Sequence, residues 1–322
     1  MSAGRSNDSQ GAVPAVRPPL GAVAAVEGGV LLLAALLSVP PERDGLGAVE
    51  MRTSSISWTD YSSNDLNFIT GCTPVSAGCQ NCYARAIYER FGKDHSKVEI
   101  HPDKLARLAT MRFHEHSPKR GAPHTPLAFV VDTGDLFHED VPASVIVAAL
   151  EVMASRTDVI WQVLTKRPER FQPVLYGAEG GWYLGGNDYW PNIHLGVTVE
   201  NQAMADERIP LLLDTPAAVH WISVEPMLGP VDMRQVVMQD GDHLGPTMHN
   251  WGCDTGLDWV VCGGESGPNR RPFDVAWALN LYEQCAAARV PYWYKQGSAL
   301  KPGQAAVLPG YGVVQEWPEE GA

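Results

Sequence analysis

Three cysteines fall within eleven residues of the stretch TGCTPVSAGCQNCYA (70–84), at Cys72, Cys79 and Cys82. The other three, Cys253, Cys262 and Cys285, are scattered. Six thiols in 322 residues are too few for a disulfide scaffold, and a tight trio in a reducing compartment reads as a set of metal ligands. The spacing is Cys-x6-Cys-x2-Cys, which sets the last two sulfurs about one helical turn apart. Gly71, Pro74 and Gly78 suit a loop that wraps closely round a centre. A helix expected over 80–91, starting near Cys82, would aim backbone N–H groups and its positive dipole end at a negatively charged thiolate site. Three cysteines leave a tetrahedral zinc one ligand short. They also leave one iron of a [4Fe–4S] cluster without a protein ligand and able to take a small molecule. Zinc would need a fourth ligand from Cys253, Cys262, His95 or His101, and the residues alone leave both readings open.

Such ligands need a scaffold, and the rest of the chain supplies an alternation. Apolar, β-branched runs at 66–70, 127–132, 159–165, 193–200, 219–225, 258–265 and 291–296 read as strands covered on both faces. Helices are expected between them at 80–91, 142–155, 201–213 and 273–290. That order predicts an α/β fold: a partial or complete parallel (β/α) barrel, TIM-like, over residues 51–322. Gly-rich, aromatic stretches at 176–192 and 238–256 read as insertions over the barrel mouth. Each strand ends in polar or ionisable residues, and in a parallel barrel all such ends share one face. Trp58 reads as core packing.

Residues 1–50 differ in composition and read as a poorly ordered extension, with Met51 an alternative start. Their apolar run at 30–40 is too short for a membrane span, so no membrane partner and a cytoplasmic location are expected. The formal net charge of −13 does not favour non-specific binding to long nucleic acid, although a local basic groove stays compatible with it.

The segments ISWTD, TGCTPVSAGCQNCYA, GDLFHEDVP, VLTKRPERF, HLGVTVEN, ISVEPMLGPVD, WVVCGGESGPNRRPF and YWYKQGS, in order from about 56 to 298, resemble the phage Gp37/Gp68 family. These three-Cys-motif proteins are regarded as relatives of radical S-adenosylmethionine enzymes. The resemblance implies a [4Fe–4S] cluster on Cys72, Cys79 and Cys82, with S-adenosylmethionine on the fourth iron. It also implies reductive cleavage to a 5′-deoxyadenosyl radical that abstracts hydrogen from a substrate. The superfamily spacing is Cys-x3-Cys-x2-Cys, so the first gap here is longer, and Asn81 stands where an aromatic residue is common.

Under that resemblance Asp135, His138 and Lys295 are the catalytic candidates: Asp135 for the methionyl ammonium, His138 for proton transfer, Lys295 for substrate or for neutralising nearby acids. Asp132, Lys166, Arg167, Glu200, Glu225, Gly263, Gly264 and Glu265 are the cofactor-binding candidates. Structural alternatives stand beside these roles. Asp135 would cap a turn, and the cations would pair with strand-end glutamates. Implied partners are a substrate of unread identity, a reductant such as flavodoxin or ferredoxin, and a three-Cys-motif partner protein. A second class of function is a phage-related binding protein stabilised by iron–sulfur or zinc, working through a protein partner without radical chemistry.

Overall fold

The computed structural model describes residues 51, 53–114, 119, 124–176, 190–238, 241, 243–245, 248 and 256–318. The expected extension at 1–50 and most of the two insertions at 176–192 and 238–256 lie outside the described residues. Six strands form one parallel sheet: β3 (Leu127–Phe129), β4 (Ile160–Thr165), β5 (Ile193–Thr198), β6 (Val219–Val224), β7 (Trp259–Gly263) and β8 (Tyr292–Gln296). They are preceded by β1 (Ile69–Thr70) and β2 (Glu99–Ile100), an antiparallel pair.

The six strands lie side by side in sequence order. Right-handed crossovers that always advance in one direction put every connecting helix on the same face. The sheet must then curl round its uncovered face, and it forms a half-barrel. On the covered face sit α3 (Ala143–Ala154), α4 (Phe171–Tyr176), α5 (Gln202–Leu213) and α6 (Val275–Ala288). Outward strand residues such as Trp161, Val163, Leu195, Val197, Ile222, Val224, Val260 and Cys262 pack with them in the main core.

The concave face is filled by Trp58, Phe129, Val219, Trp221, Trp259, Val261 and Trp293. Trp58 lies 5.2 Å from Trp221, and Trp221 lies 5.5 Å from Trp259, ring centre to ring centre. Trp58 is therefore core, as its sequence context suggested. Gly196 on β5 gives the Trp221 indole its room: a Cβ there would come within 2.4 Å of the ring. Both sheet edges are closed by the chain's own ends. Tyr61 donates to and accepts from β3, and Val314–Glu316 pairs with β8, which leaves neither edge open to another chain.

Six of the seven expected strands are in the sheet, and the four expected helices form at Tyr83–Arg90 (α1), α3, α5 and α6. The seventh run, 66–70, is not a barrel strand. Phe68 and Ile69 are buried in the core, but the chain turns at Gly71, whose φ of 83° suits glycine. A Cβ at Gly71 would fall 1.9 Å from the Lys97 carbonyl oxygen, so only glycine lets β1 and the segment after it lie against residues 95–100. Two further helices, α2 (Pro102–Leu108) and α4, were not expected; both are only two turns or less and carry too little periodicity to stand out.

Gly196→Ala is expected to destabilise the fold by about 1–3 kcal/mol through overpacking against Trp221. Urea denaturation followed by tryptophan fluorescence reads this as a lowered midpoint with an unchanged slope.

Candidate functional site

Because the six strands are parallel, their C-terminal ends share one rim, and the cysteine segment 71–82 lies across it. Each end of that segment is held by residues from a different strand. At its start, the Cys72 N–H donates to the His95 carbonyl. The Arg167 guanidinium, beyond β4, is almost fully buried and holds the next residue. It donates to the Thr73 carbonyl and to Thr73 Oγ1, both at 2.9 Å, and approaches Cys72 Sγ at 3.4 Å. Its remaining N–H groups pair with Asp135 at 3.1 Å and Glu139 at 2.8 Å.

The middle of the segment sits on Glu200, beyond β5. Ser76 Oγ donates to Glu200 Oε1 at 2.5 Å, while Arg208 pairs with Oε2 at 3.2 Å. Gly78 passes so close that a Cβ would lie 2.3 Å from the same carboxylate. Toward the end, Asn81 donates to Glu265, beyond β7, at 3.0 Å. Arg271 pairs with that carboxylate and donates to the Ala77 carbonyl at 2.9 Å. Cys82 is the N-cap position of α1, so the expected helix start at the third cysteine holds. The Tyr83 hydroxyl then donates to the Asp132 carbonyl beyond β3.

These contacts assign places to the sequence candidates. Asp135 accepts from Thr165 Oγ1, the Phe137 and Lys166 N–H groups and Arg167, so its carboxylate is occupied in orienting the guanidinium. His138 is fully buried. Its Nδ1 accepts from the Asp140 N–H at 3.1 Å, and its Nε2 faces the Thr73 N–H at 3.3 Å and Thr73 Oγ1 at 2.8 Å. Burial first, and the Arg167 charge next, lower its pKa, so the ring is neutral and braces the segment. Asp132 accepts from Ser62 Oγ and Asn67 Nδ2, both at 2.5 Å, and burial raises its carboxyl pKa. Gly264 has the Ser298 nitrogen 2.7 Å from where its Cβ would be, so its small size serves the packing of the chain after β8.

Three candidates keep side chains on the concave side beneath the segment. Lys295 and Glu225 pair at 2.6 Å while partly exposed, and Gly263 stands beside them, with Glu225 and Lys295 Cβ each 3.5 Å from its vacant Cβ position. Lys166 continues the inward alternation of β4, and among the described residues its ammonium makes no ion pair.

The thiols differ in their surroundings. Burial, with the Asp135 charge second, pushes Cys72 up to about 11 against the pull of Arg167. At Cys79, burial also raises the pKa, but the Lys166 charge and hydrogen bonds from Val75 and Ser76 outweigh it, and the thiol falls below its usual range. The five described cysteines are free. Three thiols on one anchored segment, with two cations turned toward them, match the donor chemistry of a metal-thiolate centre. Among the described residues, however, no group of three or more His, Cys, Asp or Glu side chains is drawn together tightly enough to hold a metal ion. A centre would require the sulfurs to close inward.

None of the described candidates for a fourth zinc ligand is grouped with the three cysteines. Cys262 packs in the main core near Met227, His95 bonds the Thr133 carbonyl and His101 bonds Thr70 Oγ1; Cys253 lies outside the described residues. Two participants were missed from sequence. Tyr83 was not among the candidates, yet its hydroxyl donates to the Asp132 carbonyl at the strand-end rim. Arg271 was not among the candidates either, and its clamp on Glu265 carries no sequence signal beyond its place six residues on.

Two comparisons return nothing: no curated protein and no solved structure matches this chain. A family model described as "Protein of unknown function (DUF5131)" matches residues 53–307, a span that holds the cysteine segment and every strand end above. No helix among the described residues is long and apolar enough to cross a membrane.

Arg167→Ala is expected to cost about 3–5 kcal/mol, because it leaves Asp135 buried without its cation. It should also free the cysteine segment, read as faster alkylation of Cys72 by iodoacetamide, whereas Arg270→Ala at the half-buried neighbour of Arg271, which bonds only the Gly267 carbonyl, should leave labelling unchanged.

Proposed function

The chain belongs to the DUF5131 family, and we propose that it is a radical S-adenosylmethionine-like enzyme of the phage Gp37/Gp68, three-Cys-motif kind. Cys72, Cys79 and Cys82 would hold a [4Fe–4S] cluster. The observation that carries this reading is the anchoring of a segment with three free thiols across the C-terminal rim of a parallel half-barrel, by side chains from the ends of β4, β5 and β7. When bound, the cluster supplies the electron that cleaves a carbon–sulfur bond of S-adenosylmethionine.

The chain's own groups do the rest. Lys166 favours the thiolate of Cys79, and Arg167 directs an N–H at the Cys72 sulfur. Asp135 and His138 act through these as positioning residues. Glu225 offers a carboxylate to ribose hydroxyls or to an ammonium group, Lys295 balances its charge, and Gly263 leaves room between them. Glu200, Glu265 and Asp132 hold the segment rather than the nucleoside. A cytoplasmic setting keeps the thiols reduced, and a flavodoxin- or ferredoxin-like reductant supplies the electron. A three-Cys-motif protein remains the partner that the family resemblance proposes.

Anaerobic reconstitution tests this. The protein is expected to bind roughly four iron and four sulfide per chain, and to release 5′-deoxyadenosine when reduced with S-adenosylmethionine present. Each of Cys72→Ala, Cys79→Ala and Cys82→Ala should lose most of the iron. Full iron retention by Cys79→Ala defeats the ligand assignment; one tight zinc with no adenosine product favours a binding protein that works through a partner.

A further inference from the structure

The helix that starts at Cys82 presents an unusual surface. Tyr83, Ile87 and Phe91 lie four residues apart, on one line along α1 and its C-terminal cap, and are 54%, 38% and 71% exposed. Exposed Arg90 lies beside that line and exposed Lys93 and Lys97 follow it after the helix, whereas Arg85, half-buried and two residues from Tyr83, lies on the other side of α1. Among the described residues none of these four cations makes a side-chain hydrogen bond or an ion pair. Residues 83–97 hold four cations against Glu89 and Asp94, in a chain of 24 Lys and Arg against 37 Asp and Glu. The surface is continuous with the site at both ends. The Tyr83 hydroxyl reaches the Asp132 carbonyl beneath its exposed ring, and the Lys97 carbonyl packs on Gly71, next to Cys72.

We propose that this surface binds single-stranded nucleic acid: Arg90, Lys93 and Lys97 track the phosphates, and Tyr83 and Phe91 stack unpaired bases beside the cysteine segment. Charge complementarity selects a polyanion, because unpaired cations persist here on an otherwise acidic molecule. Ring exposure selects a ligand with flat apolar faces. An aromatic side chain left open to water on a convex helix can stack a base without any pocket. An acidic protein partner fits less well. The three apolar side chains form a single line on one short helix, which suits stacking on individual bases better than a broad packed interface. The inference stands on this surface alone and needs no cluster, so its failure and that of the enzymatic reading are separable.

The test is fluorescence anisotropy of a labelled single-stranded oligonucleotide of mixed sequence, titrated with the full chain as purified, without added iron or S-adenosylmethionine. Three phosphate contacts predict a dissociation constant that weakens about 20-fold as salt rises four-fold. Phe91→Ala should weaken binding about five-fold or more at fixed salt. Arg90→Ser combined with Lys93→Ser should cut the logarithmic salt slope by about two thirds. Both variants change exposed side chains, and circular dichroism melts matching the parent show that the fold is kept. No binding at micromolar protein, binding insensitive to salt, or binding unchanged in both variants overturns the proposal. So does a poly-glutamate peptide that binds with the same dependence on Phe91 when the oligonucleotide does not, since the surface then serves an acidic protein.

Discussion

One buried guanidinium joins the scaffold to the chemistry. Arg167 leaves the end of β4, is held by Asp135 and Glu139, and spends its other N–H groups on Thr73 and Cys72. A planar five-donor group can satisfy carboxylates on one side and a backbone carbonyl on the other, which a lysine ammonium cannot do in a fixed direction. Its burial makes the arrangement stringent, because an unpaired charge there is far more costly than a surface one. The cysteine segment is therefore placed by a charge network rather than by strand pairing. Glu200 and Glu265 repeat the device at two further strand ends, each with its own arginine, Arg208 or Arg271.

The half-barrel explains why the polar groups collect where they do. A singly wound parallel sheet covers one face with helices and must fill the other with side chains. Here tryptophans occupy the lower part of the concavity, packed against Phe129, Val219 and Val261. Toward the C-terminal ends the same inward alternation passes from Trp221 to Ser223 and Glu225, and from Trp293 to Lys295. The dry lower layer gives rigidity, and the upper layer meets the cysteine segment. Closure of both edges by the chain's own termini keeps this sheet from templating another.

Helices and strands with long apolar runs were legible in the sequence, since a strand buried on both faces reads as a continuous Val, Ile and Trp run and a core helix as a long amphipathic one. The misreading of 66–70 has a physical cause: a short apolar run fits a barrel strand and a buried loop equally well, and only the contact of Gly71 with the Lys97 carbonyl decides between them. Likewise Asp135, His138 and Glu200 were legible as polar residues at strand ends. Their work as braces was not, because it depends on partners 30 to 124 positions away.

The linear order of residues by itself determined the parallel α/β architecture, the shared rim of polar strand ends and the trio of thiols on one glycine-bearing segment, because periodicity and close spacing are local properties of a chain. Only the tertiary structure decided which carboxylates anchor that segment and which face the concavity, and that exposed aromatics and unpaired cations lie beside it. Hydrogen bonds and ion pairs between distant positions leave no periodic trace, and their direction is set by the curl of the sheet.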